Sequence, residues 1–125
     1  MNKFLLGAIL LLAIAFVAWL LFSGDETQGK YDAFAQCLAQ KEVTMYGADR
    51  CSHCQNEKKA FGESFRFVPY VECPDDPQRC LEEGIEGYPT WVFPASSAGG
   101  PEGKKLVGEQ GLEKLSQESG CQLPQ

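Results

Sequence analysis

The chain has 125 residues and a formal net charge of −6 at pH 7, room for one domain plus an N-terminal segment. An acidic chain lacks the basic footprint that nucleic acid demands, so nucleic acid is excluded as a partner. Hydrophobic content is 44% overall but inflated by residues 4–22, leaving a domain of roughly 100 residues whose modest core covalent staples would reinforce.

From Phe4 to Phe22 about 19 consecutive residues carry no charge. As a helix they span roughly 28 Å, the thickness of a bilayer core. Lys3 precedes the run while Asp25 and Glu26 follow it, an asymmetry that puts the N-terminus in the cytoplasm and the rest of the chain outside. Residues 1–23 are therefore expected to be a single-pass membrane anchor or uncleaved signal. The rival is a cleaved signal peptide, but the small residues Ala13-Ile14-Ala15 sit in the middle of the run, where cleavage would leave an apolar tail. Either way the domain is expected to be extracytoplasmic, in a periplasm or the extracellular space, and secreted if the segment is removed.

Residues 24–30 are polar and read as a linker, and 31–125 as the folded domain. Tyr31, Phe34, Ala35 and Leu38 recur at helical spacing. Val43–Tyr46 reads as a buried strand. A helix is expected to begin at Cys51 and run to about Ser64, with Ala60, Phe61 and Phe65 inward and Glu57-Lys58-Lys59 on a solvated face. Phe67–Glu72 reads as a strand, and Pro69 inside it restricts it to a sheet edge. A short helix is expected over Gln78–Glu83, strands over Thr90–Phe93 and Lys104–Val107, and a last helix over Glu109–Ser119 capped by Gly120. Trp91 and the phenylalanines at 61, 65, 67 and 93 are core candidates.

The chemistry concentrates in Cys51-Ser52-His53-Cys54, between a strand and a helix. Two thiols at this spacing interconvert between dithiol and disulfide with little backbone motion. At a helix N-terminus the partial positive charge and converging N–H groups favour a Cys51 thiolate, and His53 and Arg50 flank it. Cys51 is thus expected to be the attacking thiol and Cys54, deeper in the first turn, the resolving one. A stabilised thiolate stabilises the reduced pair and makes its disulfide a stronger oxidant. Half of a zinc site is the competing reading, but the only histidine lies inside the motif and the other cysteines are scattered, so no metal is expected. A plain structural disulfide is the other, and it seldom sits between strand and helix with a polar pair inside.

Pro89, in Gly87-Tyr88-Pro89-Thr90, would if cis turn the backbone at Tyr88 toward the reactive pair, offering it to an extended substrate segment. Tyr88, Pro89 and Arg50 are therefore the substrate-binding candidates, with Cys51, Cys54, His53 and Pro89 the catalytic ones. Cys73 and Cys80 bracket a Pro-Asp-Asp-Pro turn, while Cys37 and Cys121 fall in the first and last helical regions of the domain. Position alone pairs Cys73 with Cys80 and Cys37 with Cys121 out of 15 connectivities. A relay role for Cys73–Cys80 is the functional alternative to a structural one.

The expected order α-β-α-β-α-β-β-α is the thioredoxin-like arrangement lacking its first strand, a four-stranded mixed sheet flanked by helices. Met45-Tyr46-Gly47-Ala48-Asp49-Arg50-Cys51-Ser52-His53-Cys54-Gln55-Asn56, then Lys59, Phe61-Gly62, Tyr70-Val71-Glu72-Cys73, Gly87-Tyr88-Pro89-Thr90-Trp91 and Ser119-Gly120 resemble the thioredoxin-like domain fused to vitamin K epoxide reductase homologues in bacteria and plants. The resemblance covers about residues 31–121. It implies that Cys51 and Cys54 are the exchanging pair and that Pro89 is the cis-proline; no cofactor is expected. It also implies protein thiols as substrates and a quinone-linked membrane reductase as partner, here expected as a separate chain. The family usually has Trp-Cys-Pro-His-Cys where this chain has Arg50-Cys51-Ser52-His53-Cys54, a change that alters the redox potential. The loop Pro94–Gly103 is also longer than the tight hairpin the family has there. Thioredoxin's buried acid falls at Met45, which fits an oxidant or isomerase better than a fast reductant. The alternatives are a reductant fed by a transmembrane electron carrier, and a non-enzymatic chaperone or metal-binding module using Cys51, His53 and Cys54.

Overall fold

The computed structural model describes residues 2–22, 29–95 and 102–125. Most of the expected linker (24–28) and the middle of the Pro94–Gly103 loop (96–101) lie outside these residues. The N-terminal segment is helical, α1, over Lys3–Phe22. Among the described residues no helix is long and apolar enough to cross a membrane. The expected transmembrane helix is corrected on that finding.

The domain follows as α2 (Asp32–Gln40), β1 (Thr44–Gly47), α3 (Ser52–Phe61), a 3₁₀ helix (Gly62–Phe67), β2 (Tyr70–Glu72), α4 (Pro77–Glu82), β3 (Thr90–Phe93), β4 (Lys104–Val107) and α5 (Leu112–Ser119). The four strands form one mixed sheet in the order β2-β1-β3-β4. β1 runs parallel to β2, with Met45 opposite Tyr70, and antiparallel to β3, with Met45 opposite Trp91. β4 returns antiparallel to β3. Among the described residues no strand precedes α2, so β2 is an edge, and the arrangement is thioredoxin-like without a first strand.

Alternation along the strands divides the core between the two faces of the sheet. Val43, Met45, Trp91 and Phe93 join Phe34, Leu38, Phe61 and Leu115 in the main cluster. There the Phe61 ring lies 5.7 Å from Phe34 and 6.1 Å from Trp91. Tyr46, Val71, Cys73 and Cys80 form a smaller cluster, with Val92 packed against it. Phe34, Ala35 and Leu38 of α2 are buried as their spacing predicts, and Gly120 takes the left-handed conformation that closes α5.

Two local expectations are corrected. The strand expected from Phe67 starts only at Tyr70, because Gly62 at φ 58° ends α3 and the chain continues as the 3₁₀ helix. Pro69, with no N–H to donate, contributes only its carbonyl, which accepts from Met45 N at 2.9 Å. On α3 the inward residues are Cys54, Glu57 and Phe61, while Ala60 is exposed. Disulfides join Cys37 to Cys121 and Cys73 to Cys80, each with Cα atoms 5.8 Å apart.

Candidate active site

β1 ends at Gly47, and a short turn delivers Cys51 to the N-cap of α3. There its sulfur accepts a hydrogen bond from Cys54 N at 3.4 Å, the work a serine or aspartate side chain does at other helix starts. Cys51 is partly exposed and Cys54 buried, both as free thiols. Cys54 Sγ lies hard against Gly47, where a Cβ would sit only 2.8 Å from the sulfur. A side chain at 47 would displace the Cys54 thiol, which is why glycine suits the end of this strand.

The two thiols differ electrostatically. Partial burial works against a Cys51 thiolate. The Cys54 thiol and the N–H groups of Cys54 and His53 donate to the sulfur and together outweigh burial, holding the Cys51 thiol below the ordinary cysteine range. Glu109 opposes them by its charge. Cys54 is pushed up to about 12, first by burial and then by its hydrogen bond to Cys51. The pair is thus split into a thiol that ionises easily and a partner that keeps its proton.

Pro89 is buried and the Tyr88–Pro89 peptide is cis. The Cys51 thiol donates toward the Tyr88 carbonyl at 3.6 Å, and the Tyr88 side chain is exposed. Structure therefore brings Cys51, Cys54, Tyr88 and Pro89 together. His53 is exposed on the first turn of α3, with Nδ1 2.9 Å from Glu109 Oε2. Asn56 donates to the same oxygen at 3.2 Å, and these two bonds draw the Glu109 carboxyl below its usual range. Arg50 is exposed in the turn, and the leading groups acting on Cys51 are the hydrogen-bond donors rather than its guanidinium.

Three residues the sequence did not single out complete the surroundings. Glu109 follows β4 and reaches His53 only because the sheet folds it there. Glu57, expected on a solvated face, is 1% exposed. Its two oxygens accept from Trp91 Nε1 at 2.5 Å and Gly111 N at 2.6 Å, and these donors compensate a carboxylate that could not otherwise be buried. Lys58, one helical turn beyond Cys54, is half-buried, with Nζ 2.6 Å from Asp49 Oδ1 and 3.9 Å from the Tyr70 ring centroid. Spacing could have flagged Glu57 and Lys58, at i+3 and i+4 from Cys54.

No family model matches the sequence. The chain is 36% identical over 102 residues to the thiol-disulfide oxidoreductase LTO1 of Arabidopsis thaliana, a match covering 74% of this chain and 25% of that protein. The chain therefore spans about a quarter of the length of this curated relative. Among solved structures it is similar to thioredoxin of Fasciola hepatica, with 15% identity and a TM-score of 0.46 over 64% of this chain and 79% of that one.

Proposed function

We propose that this chain is a thiol–disulfide oxidoreductase in which Cys51 and Cys54 are the exchanging pair. One observation carries the reading. A free, partly exposed thiol caps a helix beside the carbonyl of a cis X-Pro peptide, with a second, buried thiol one turn behind it. The relative's printed activity points the same way.

The favoured direction is oxidation of protein thiols. A substrate thiolate attacks Cys51 Sγ of the disulfide, and the Cys51–Cys54 bond breaks with its electron pair on Cys54. A second substrate thiolate then attacks the mixed disulfide at the substrate sulfur and releases Cys51. The substrate ends as a disulfide and the pair as a dithiol. Stabilisation of the Cys51 thiolate supports this direction, because it favours the reduced pair. Tyr88 and Pro89 would hold an extended substrate segment by its backbone, with Arg50 and His53 at the rim. Two further disulfides support an oxidising compartment outside the cytoplasm. Reoxidation by a quinone-linked membrane protein of the vitamin K epoxide reductase type is the partner reading that the family resemblance supports.

The test is equilibration of the full chain against glutathione buffers, with Cys54→Ala used to trap mixed disulfides on Cys51. A potential of about −120 to −200 mV, with trapped partners, is expected for an oxidant or isomerase. A potential near −270 mV would make it a reductant, and no exchange at all would overturn the reading.

A further inference from the structure

When the disulfide opens, the departing electron pair lands on Cys54, the one sulfur that burial makes a poor anion. Cys54 is fully buried and pressed against Gly47, so water stabilises an anion there poorly. The groups around it come from three elements. From α3 come Cys51 and, at i+4 on the same helix face, Lys58. From the turn before α3 come the Ala48 N–H and Asp49. From β2 come Tyr70 and Glu72. Glu57 is taken up by Trp91 and Gly111.

Lys58 is the lysine or arginine of this set, and it is not free to swing. Asp49 Oδ1 holds its ammonium at 2.6 Å, and the Tyr70 ring lies beneath it at 3.9 Å. That ring reaches the same spot as the cysteine, its Cε2 lying 3.4 Å from where a Gly47 Cβ would stand, beside Cys54 Sγ at 2.8 Å. Glu72 fixes the assembly from below, accepting from the Tyr70 hydroxyl and, at 2.9 Å, from Asp49 N.

We propose that Lys58 is a positioning residue of the exchange reaction, a cation clamped by Asp49 and the Tyr70 ring so that it stabilises the Cys54 thiolate released when the disulfide opens. The step balances without any further reactant. The incoming sulfur forms its bond to Cys51 Sγ, and the Cys51–Cys54 bond breaks with its pair on Cys54. Lys58 supplies charge until that thiolate takes up a proton from solvent. Lys58 also lowers the Cys54 thiol against the much larger opposing effect of burial. A less basic leaving thiol departs faster, so the effect is on rate. At neutral pH the reduced Cys54 is a neutral thiol, and the equilibrium potential depends little on this charge.

The inference rests on Cys51–Cys54 being the redox pair, and the experiment separates the two. Opening of the disulfide by reduced glutathione is timed in the full chain for the wild type, Lys58→Met and Lys58→Arg, with the equilibrium position measured in the same buffers. Methionine keeps much of the stem over Tyr70 and removes the charge, while arginine keeps the charge. Lys58→Met is expected to open about threefold to tenfold more slowly, with Lys58→Arg near wild type and the equilibrium position of both little changed. Equal opening rates in all three proteins, or a Lys58→Arg as slow as Lys58→Met, would overturn the role of Lys58 and leave the redox pair standing. A wild type that never equilibrates with glutathione would remove both.

Discussion

Cys51 and Cys54 are the same residue type three positions apart, yet the fold drives their protons in opposite directions. Partial burial of Cys51 is overcome by donors from Cys54 and His53, whereas Cys54 is buried and gives its own hydrogen to Cys51. The reduced protein should therefore show a two-sided pH dependence. Between the lowered folded value of Cys51 and its unfolded value of about 8.5, the unfolded chain holds more protons and stability rises with pH. The Cys51 contribution is present above the unfolded value and is lost as pH falls through the folded one. For Cys54 the sign reverses. Between about 8.5 and about 12 the folded chain holds the extra proton, so stability falls as pH rises. Tyr70, pushed up by burial and by its bond to Glu72, adds to that alkaline loss. Urea unfolding of the reduced protein across this range should give a maximum near pH 8–9, with the alkaline fall shallower in Cys54→Ala. Iodoacetamide should modify Cys51 at neutral pH and spare Cys54. Equal alkylation of both thiols would mean that the two are not split in this way.

At the scale of elements, the reactive turn is held by contacts that cross the fold. Glu57 of α3 accepts from Trp91 on β3 and from Gly111 at the start of α5, so one carboxylate ties the helix that carries Cys51 and Cys54 to the strand that follows the cis-proline and to the segment carrying Glu109. Glu57→Ala would strand two donors in the core and cost about 3 kcal/mol, whereas Glu57→Gln, whose amide oxygen can still accept, should cost about half as much. Urea unfolding with Trp91 fluorescence as the probe measures both, and an alanine variant as stable as wild type would mean that the donors find other partners. This contact also marks where legibility in the sequence ends. Strand β3, the C-terminal stop of α5 at Gly120 and the helix start at Cys51 are written in local patterns of apolar runs, glycine and proline, and those are readable. Glu57 sits in the run Glu57-Lys58-Lys59, which by itself reads as a water-facing surface. What buries it lies 34 and 54 positions away, and Glu109 reaches His53 from 56 positions away. Phe67 failed as a strand residue for a local reason, since the apolar run continued smoothly while the backbone had already turned at Gly62 into a 3₁₀ helix. For α1, an uncharged run gave the expected span, which the described helix does not supply.

At the scale of the molecule, a small domain with an open sheet edge at β2 has to be closed by something besides its core. The ends of the domain are brought together twice, by Cys37–Cys121 across 84 positions and by Lys41 Nζ donating to the Ser119 carbonyl at 2.5 Å. The second disulfide, Cys73–Cys80, closes only seven positions and pins α4 beside the end of β2. Chain entropy makes these unequal, because the longer loop restricts the unfolded chain more. Its removal should cost about 4.5 kcal/mol against about 2.5 for the shorter one. Paired alanine variants suit the comparison, since Cys121, Cys73 and Cys80 are buried and a polar replacement would add its own desolvation cost. Calorimetry should place Cys37→Ala/Cys121→Ala well below Cys73→Ala/Cys80→Ala in melting temperature, and both should still exchange with glutathione at Cys51 below their transitions. The outcome to watch is a Cys73→Ala/Cys80→Ala protein that folds at nearly the wild-type temperature and yet delivers oxidising equivalents slowly to protein thiols. Burial of both sulfurs argues against it, because exchange needs an accessible sulfur. Its appearance would turn the short disulfide from a staple into a relay that opens transiently beside the edge strand.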